Sequence, residues 1–305
     1  MREITKEEAH RLTEIGTEYI VLINEENRPT ESVITLKKNP TGFILGISCG
    51  IVNISKFYFS EEFETINQLC QNYVTTLKEK GNPFLDHGMS KQELKELASQ
   101  LGKPEGEKGI QIGQMMNETN ISMTRKTLEQ LSLNDNDRIL ELGHGNANHL
   151  IELLNIAANL HYFGIDISEL MMQEAEKFCI ENIPDKNTEF QLYDGINIPF
   201  ADNSFDKIFT VNTIYFWQQP VDLMIELNRV LKPNGILCIT FVDEDTMNQL
   251  TFTEFGFAKY NQSTFKKLTE ESKLEVTETK HYSEIIKSKM LEEVDRKYWI
   301  MTLTK

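Results

Sequence analysis

Two rhythms of apolar and polar positions divide the chain. Up to residue 80, short apolar runs alternate with turn residues. Tyr19 to Ile23, Val33 to Leu36, Phe43 to Ile47 and Ile51 to Phe59 read as strands. They are broken by the proline-bearing stretch 24–30, by Asn39-Pro40-Thr41-Gly42 and by Cys49-Gly50. Residues 5–15 predict a short helix. Ser60 is followed by Glu61, Glu62 and Glu64, a capping hydroxyl with acids in the first turn. Phe63, Ile66, Cys70, Tyr73 and Leu77 then recur at helical spacing, so 61–80 predicts an amphipathic helix stopped by Gly81-Asn82-Pro83. The segment reads as a small α+β unit with no motif spacing among its polar residues.

The stretch 81–90 is the expected boundary, giving a small domain over 1–87 and a second over 88–305. Ser90 with Glu93 forms a capping-box pattern at the start of a helix. Beyond it, strongly apolar strands alternate with longer helical patterns, which predicts an open parallel sheet. The expected strands are 138–142, 159–167, 190–193, 205–212 and 235–242. A helix capped by Ser168 carries Leu170, Met171, Ala175 and Phe178, and Lys232-Pro233-Asn234-Gly235 reads as a helix-to-strand turn. The stretch 243–260 loses helical periodicity but holds Met247, Leu250, Phe252, Phe255, Phe257 and Tyr260. It suits either a cover over a substrate or packing on the sheet edge. A helix over 263–272 and strands over 275–282 and 298–304 close the pattern.

Chemistry concentrates where the expected strands end. Glu141 closes the first and runs into Gly143-His144-Gly145, then into a helix expected from His149. Glycines serve where a backbone turns sharply and approaches a ligand, and a helix start offers free N–H groups. Asp166 ends the second strand, where an acid can accept from ribose hydroxyls. Asp194, beside Gly195, ends the third, where an acid can accept from an adenine amine. Singly, these acids suit a strand-end cap, a helix cap and a turn. Three of them at successive strand C-termini, with glycines at the first, point to a ligand outside the sheet edge.

Composition narrows the class. The 305 residues carry a formal charge of -16, from 31 Lys+Arg and 47 Asp+Glu. Residues 1–85 hold 9 basic and 12 acidic residues, so the remaining 22 basic and 35 acidic residues leave -13 beyond them. That excess argues against nucleic acid as a partner, because phosphate backbones are held by cations. Cys49, Cys70, Cys179 and Cys238 lie far apart and read as free thiols of a reducing compartment. The charged N-terminus and the lack of a long apolar run predict a cytoplasmic protein with no membrane insertion. His144 and His149 alone do not make a metal site, and no metal is expected.

The segments ELGHGNANH (141–149), GIDIS (164–168), YDGINIPFADNSFDKIFTVNTIYFW (193–217) and RVLKPNGILCITF (229–241) resemble class I S-adenosylmethionine-dependent methyltransferases. They are most similar to the group that includes ubiquinone/menaquinone-biosynthesis enzymes and many small-molecule methyltransferases. KPEGEKGIQIGQMMNETN (103–120) is similar to segments preceding the first strand in that group. The resemblance implies an α/β fold, a Rossmann-like seven-stranded sheet with helices on both faces, here preceded by the small α+β domain. It implies S-adenosylmethionine as cofactor. By this resemblance Glu141, Gly143 and Gly145 form the loop under the methionine and ribose. Asp166 binds the ribose hydroxyls, Ile167 packs on adenine, Asp194 with Gly195 holds the adenine amine, and Asn212 contacts cofactor and substrate. A third glycine position holds Ala147, and Asn148 stands where a dinucleotide motif needs glycine. Tyr215 and Asn212 are the candidate catalytic or substrate-positioning residues, with Trp217 and His144 behind them. The implied reaction is direct methyl transfer to a small molecule. The competing readings are a protein methyltransferase with residues 1–87 as docking domain, and a non-catalytic cofactor-binding sensor. A homodimer is compatible with each.

Overall fold

A computed structural model describes residues 90–287 and 293–305, together with Glu61 and five strands before them. Those strands are β1 (Arg2–Ile4), β2 (Glu18–Ile23), β3 (Val33–Asn39), β4 (Gly42–Cys49) and β5 (Ile54–Ser60). The helices expected over 5–15 and 61–80 lie outside the described residues. The chain divides into two compact units, one formed by Met1–Glu93 with Ile286–Val294, the other by Leu94–Ile285 with Asp295–Lys305.

In the first unit the strands form an antiparallel sheet of order β1-β5-β4-β3-β2. Strands β3 and β4 pair Asn39 with Gly42 and Val33 with Ser48. The first three expected strands recur with longer ends, the fourth is described from Ile54, and β1 is an addition that pairs Arg2 with Phe59.

The second unit starts with α1 (Lys91–Gly102) and α2 (Gly106–Leu131). The expected capping box is present: the Ser90 N–H donates to the Glu93 carboxylate at 2.6 Å, and the Glu93 N–H to Ser90 Oγ at 3.3 Å. Then follow β6 (Arg138–Leu142), α3 (Leu150–Leu153), β7 (His161–Asp166), α4 (Glu169–Asn182), β8 (Asn187–Leu192), β9 (Phe205–Val211), α5 (Pro220–Val230) and β10 (Leu231–Val242). The unit ends with α6 (Glu244–Met247), α7 (Gln262–Thr269), β11 (Glu275–Lys287) and β12 (Glu293–Thr304). The seven-stranded sheet runs β8-β7-β6-β9-β10-β12-β11. Strands β6 to β10 are parallel, and β12 is antiparallel to β10, pairing Ile236 with Thr304 and Val242 with Tyr298.

Strand alternation sorts the core onto the two faces. Leu140, Leu142, Phe163, Ile165 and Ile208 join one cluster with Leu223, Leu227 and Phe265 of the helices. Ile139, Tyr162, Phe209 and Cys238 join the other with Leu128, Leu150 and Ala175. Burying each such side chain stabilises the fold by about 1.5–3 kcal/mol. Strands apolar on both sides belong in a sheet covered on both faces.

Two local expectations change. The helix expected from His149 is a single turn, because Asn155 turns its amide onto the Ile151 carbonyl at 2.7 Å and Asn159 adopts φ 52°. A helix that short carries no oxyanion site. The turn expected at Lys232–Gly235 lies inside β10 as a register shift between Leu231 and Ile236, with Asn234 at φ 66°.

Candidate functional site

A cavity of about 500 Å³ opens at the C-terminal ends of the parallel strands. Glu141, Gly143, Gly145, Asp166, Ile167, Asp194, Gly195 and Asn212 all line it. The expected strand-end residues are therefore brought together around one space. Ligands of open α/β sheets bind at this edge.

The loop after β6 needs its glycines. Gly143 and Gly145 have φ of 72° and 56°, the left-handed region that costs other residues strain. A Cβ on Gly143 would lie 2.3 Å from Thr213 Cγ2, whereas nothing lies within 4 Å of one on Gly145. The first glycine is thus required by packing, and the second leaves room for a ligand. Ala147 keeps a left-handed backbone at φ 56° and is fully buried. The backbone of the missing third glycine persists although the residue does not.

Each acid has a different setting. Asp166 is buried, and its Oδ1 and Oδ2 accept from the N–H groups of Ser168 at 2.8 Å and Gly145 at 3.2 Å. Burial raises its carboxyl above the ordinary value, while His144 and these two N–H groups oppose the rise. Asp194 is exposed and is held below its ordinary value by the Asn197 side chain first, then by the N–H groups of Asn197 and Ile196. Glu141 is buried, and its Oε2 accepts from the Tyr162 hydroxyl and from His149 Nε2 at 2.8 Å. His144 folds over Gly164, where a Cβ would meet its Cδ2 at 2.7 Å. Its Nδ1 lies 2.7 Å from the Gly145 carbonyl, and its buried Nε2 has no partner among the described residues.

The fourth strand end differs from expectation. Tyr215 was expected to face an acceptor, but it is buried and absent from the cavity wall. Its hydroxyl donates to Asn212 Oδ1 at 2.8 Å and accepts from the Val242 N–H. Desolvation pushes its pKa up, so it is neither an acid nor a base at neutral pH. The neighbouring Phe216 and Trp217 line the cavity instead. Phe257 packs on Tyr215 and Phe216, with ring centroids 5.8 and 4.6 Å away, and no residue of 243–260 lines the cavity. That segment takes the packing alternative.

The methyltransferase-domain family matches residues 133–298, more than half of the chain. The chain belongs to the class I S-adenosylmethionine-dependent methyltransferases. An uncharacterised Bacillus subtilis methyltransferase, YdaC, is 27% identical over 128 residues, 42% of this chain and 68% of that one. The malonyl-[acyl-carrier protein] O-methyltransferase of a Marinomonas strain is 31% identical over 135 residues, 43% of this chain and 47% of that one. The chain spans about half the length of most curated relatives it matches. A chain in the complex of the Haloferax volcanii Trm112 methyltransferase activator with a methyltransferase shares the fold. Its TM-score is 0.56 at 17% identity, over 64% of this chain and 93% of that one.

In this methyltransferase part of the cavity wall comes from residues to which sequence reasoning assigned no role. Lys103, Pro104, Gly113, Asn117, Asn120 and Thr124 come from the α1–α2 junction and from α2. The available signal was polar spacing: Asn117, Asn120 and Thr124 fall on one helical face, beside apolar Met116 and Met123. Among the methyltransferase's described residues, no helix is long and apolar enough to cross a membrane.

Proposed function

We propose that this methyltransferase binds S-adenosylmethionine in the strand-end cavity and transfers its methyl group to a small-molecule acceptor. The observation that carries the reading is one cavity lined by Glu141, Asp166 and Asp194 from three successive strand ends, with left-handed Gly143 and Gly145 beside the first. The residues fit the group: open space over Gly145 admits it, and the buried Asp166 carboxylate still has lone pairs for the ribose hydroxyls. Asp194 would accept from the adenine amine, Ile167 would pack on the base, and Glu141 would lie toward the methionine end. The cofactor supplies a methyl group already activated by a cationic sulfur. The protein's work is then alignment and water exclusion, a proximity effect of up to about 7–11 kcal/mol. Catalysis belongs to residues 88–305.

Thermal shift tests this reading. S-adenosylmethionine and S-adenosylhomocysteine raise the melting midpoint by mass action, and NAD does not. Asp166→Ala abolishes the rise. A full response in that variant removes Asp166 from the site.

A further inference from the structure

One polar chain crosses the second unit beneath the cavity, and its hydrogen-bond direction is fixed. At one end the Val242 N–H donates to the Tyr215 hydroxyl, which leaves the tyrosine proton for Asn212 Oδ1 at 2.8 Å. The Asn212 amide oxygen is thereby set, so its Nδ2 donates to Asn120 Oδ1 at 3.0 Å. At the other end the buried Arg296 donates to the same Asn120 oxygen at 3.5 Å, and a guanidinium has no acceptor to offer. Arg296 is itself held by Glu284, by the Thr119 carbonyl at 2.9 Å and by Ser122 Oγ at 3.2 Å. Both ends therefore assign the same orientation to Asn120. Its oxygen is consumed, and its Nδ2 donates to no other described residue, although Asn120 lines the cavity.

The cavity has two chemically different walls. The strand-end wall carries Glu141, His144, His149, Asp166 and Asp194. The wall from α1, α2 and residues 216–217 includes Met116, Asn117, Asn120, Phe216 and Trp217. Among the described residues that second wall holds no carboxylate and no imidazole. That wall offers no carboxylate or imidazole to take a proton from a nucleophile seated on it, which favours an acceptor that has none to lose.

We infer that the Asn120 side-chain amide is the hydrogen-bond donor that positions a carboxylate as the methyl acceptor. This rests on the methyl-donor reading above. Transfer to a carboxylate forms one O–C bond while one C–S bond of the donor breaks. The electron pair stays on sulfur, and no proton is released. The cationic sulfur of the donor attracts an anionic acceptor and offsets its repulsion from Glu141 and Asp166. Asn120 is a positioning and specificity residue, and Arg296 acts only through it.

The test is calorimetric titration of the S-adenosylhomocysteine-loaded protein with acetate, hexanoate and benzoate, and with the corresponding neutral amides. At least one carboxylate binds, its amide binds 10-fold or more weakly, and Asn120→Asp lowers the carboxylate affinity at least 10-fold. In that variant carboxylate affinity falls at least 10-fold more than S-adenosylhomocysteine affinity does, a split that a merely structural loss would not give. Arg296→Lys gives a smaller loss of about 3-fold by weakening one of the two contacts that orient the amide. If Asn120→Asp does not fold, the ¹⁵N–¹H resonances of the wild-type Asn120 amide serve, and they shift on adding the bound carboxylate. The inference is overturned if no carboxylate binds the loaded protein, if amides bind equally, if Asn120→Asp binds carboxylate as wild type does, or if those resonances stay still. Failure of the wild type to bind S-adenosylhomocysteine overturns the donor reading, and the inference with it.

Discussion

Asp166 accepts most strongly from hydroxyl groups when it is ionised, and burial makes ionisation harder. Its folded pKa is raised, so the ionised carboxylate costs stability that is recovered as pH falls through the folded value. Ligand affinity has the opposite sign. S-adenosylhomocysteine affinity should weaken as pH falls, beginning at a higher pH than an ordinary aspartate would give, measured by titration calorimetry. An affinity that stays flat as pH falls would count against the carboxylate's role. Gly143→Ala tests the loop. The added methyl meets Thr213 Cγ2 at 2.3 Å, and Thr213 cannot rotate away because its hydroxyl binds Trp217 Nε1 and Thr210. With the left-handed strain, the expected loss is about 3 kcal/mol. That lowers the melting midpoint by about 6–12 °C in a domain of this size. These residues were readable in the sequence because glycine and aspartate carry their requirement in their own chemistry. The fate of Tyr215 was not, because the groups that claim its hydroxyl include a backbone N–H on another strand.

Ser168 joins two elements. Its Oγ accepts from the Met171 N–H at 3.2 Å, capping α4, and donates to the Pro104 carbonyl at 2.6 Å in the α1–α2 junction. Ser168→Ala should cost about 2–3 kcal/mol, from the lost cap and an unsatisfied buried carbonyl. It should also loosen the cavity wall around Lys103 and Pro104, so S-adenosylhomocysteine affinity falls several-fold in the same preparation that shows the denaturation shift. A normal affinity would mean the junction is held by other contacts. The cap was legible, since a serine before an acid and an apolar stripe is a local signal. Its second partner, 64 residues away, was not. The same contrast separates the strands of the parallel sheet, which their apolar runs announced, from α2. The polar face of α2 at Asn117 and Asn120 has meaning only once the sheet is beside it.

Among the described residues, those that line the cavity lie between Leu101 and Gln218. Residues 88–305 expressed alone should therefore bind S-adenosylhomocysteine within about 3-fold of the full chain, near the scatter expected when distant parts act independently. A 10-fold weaker affinity by calorimetry would show that the N-terminal part shapes the site. The sequence announced a change of rhythm near residue 85 but not the return of Ile286–Val294 to the first unit. That membership depends on tertiary proximity, which no local pattern records. The chain crosses between units at Glu93–Leu94, Ile285–Ile286 and Val294–Asp295. A single recombination breakpoint near residue 90 would transplant the N-terminal strands and leave behind the nine residues that complete their unit. Descendants of this gene should therefore inherit both blocks or lose both, and a working chimera needs two exchanged segments rather than one appended module.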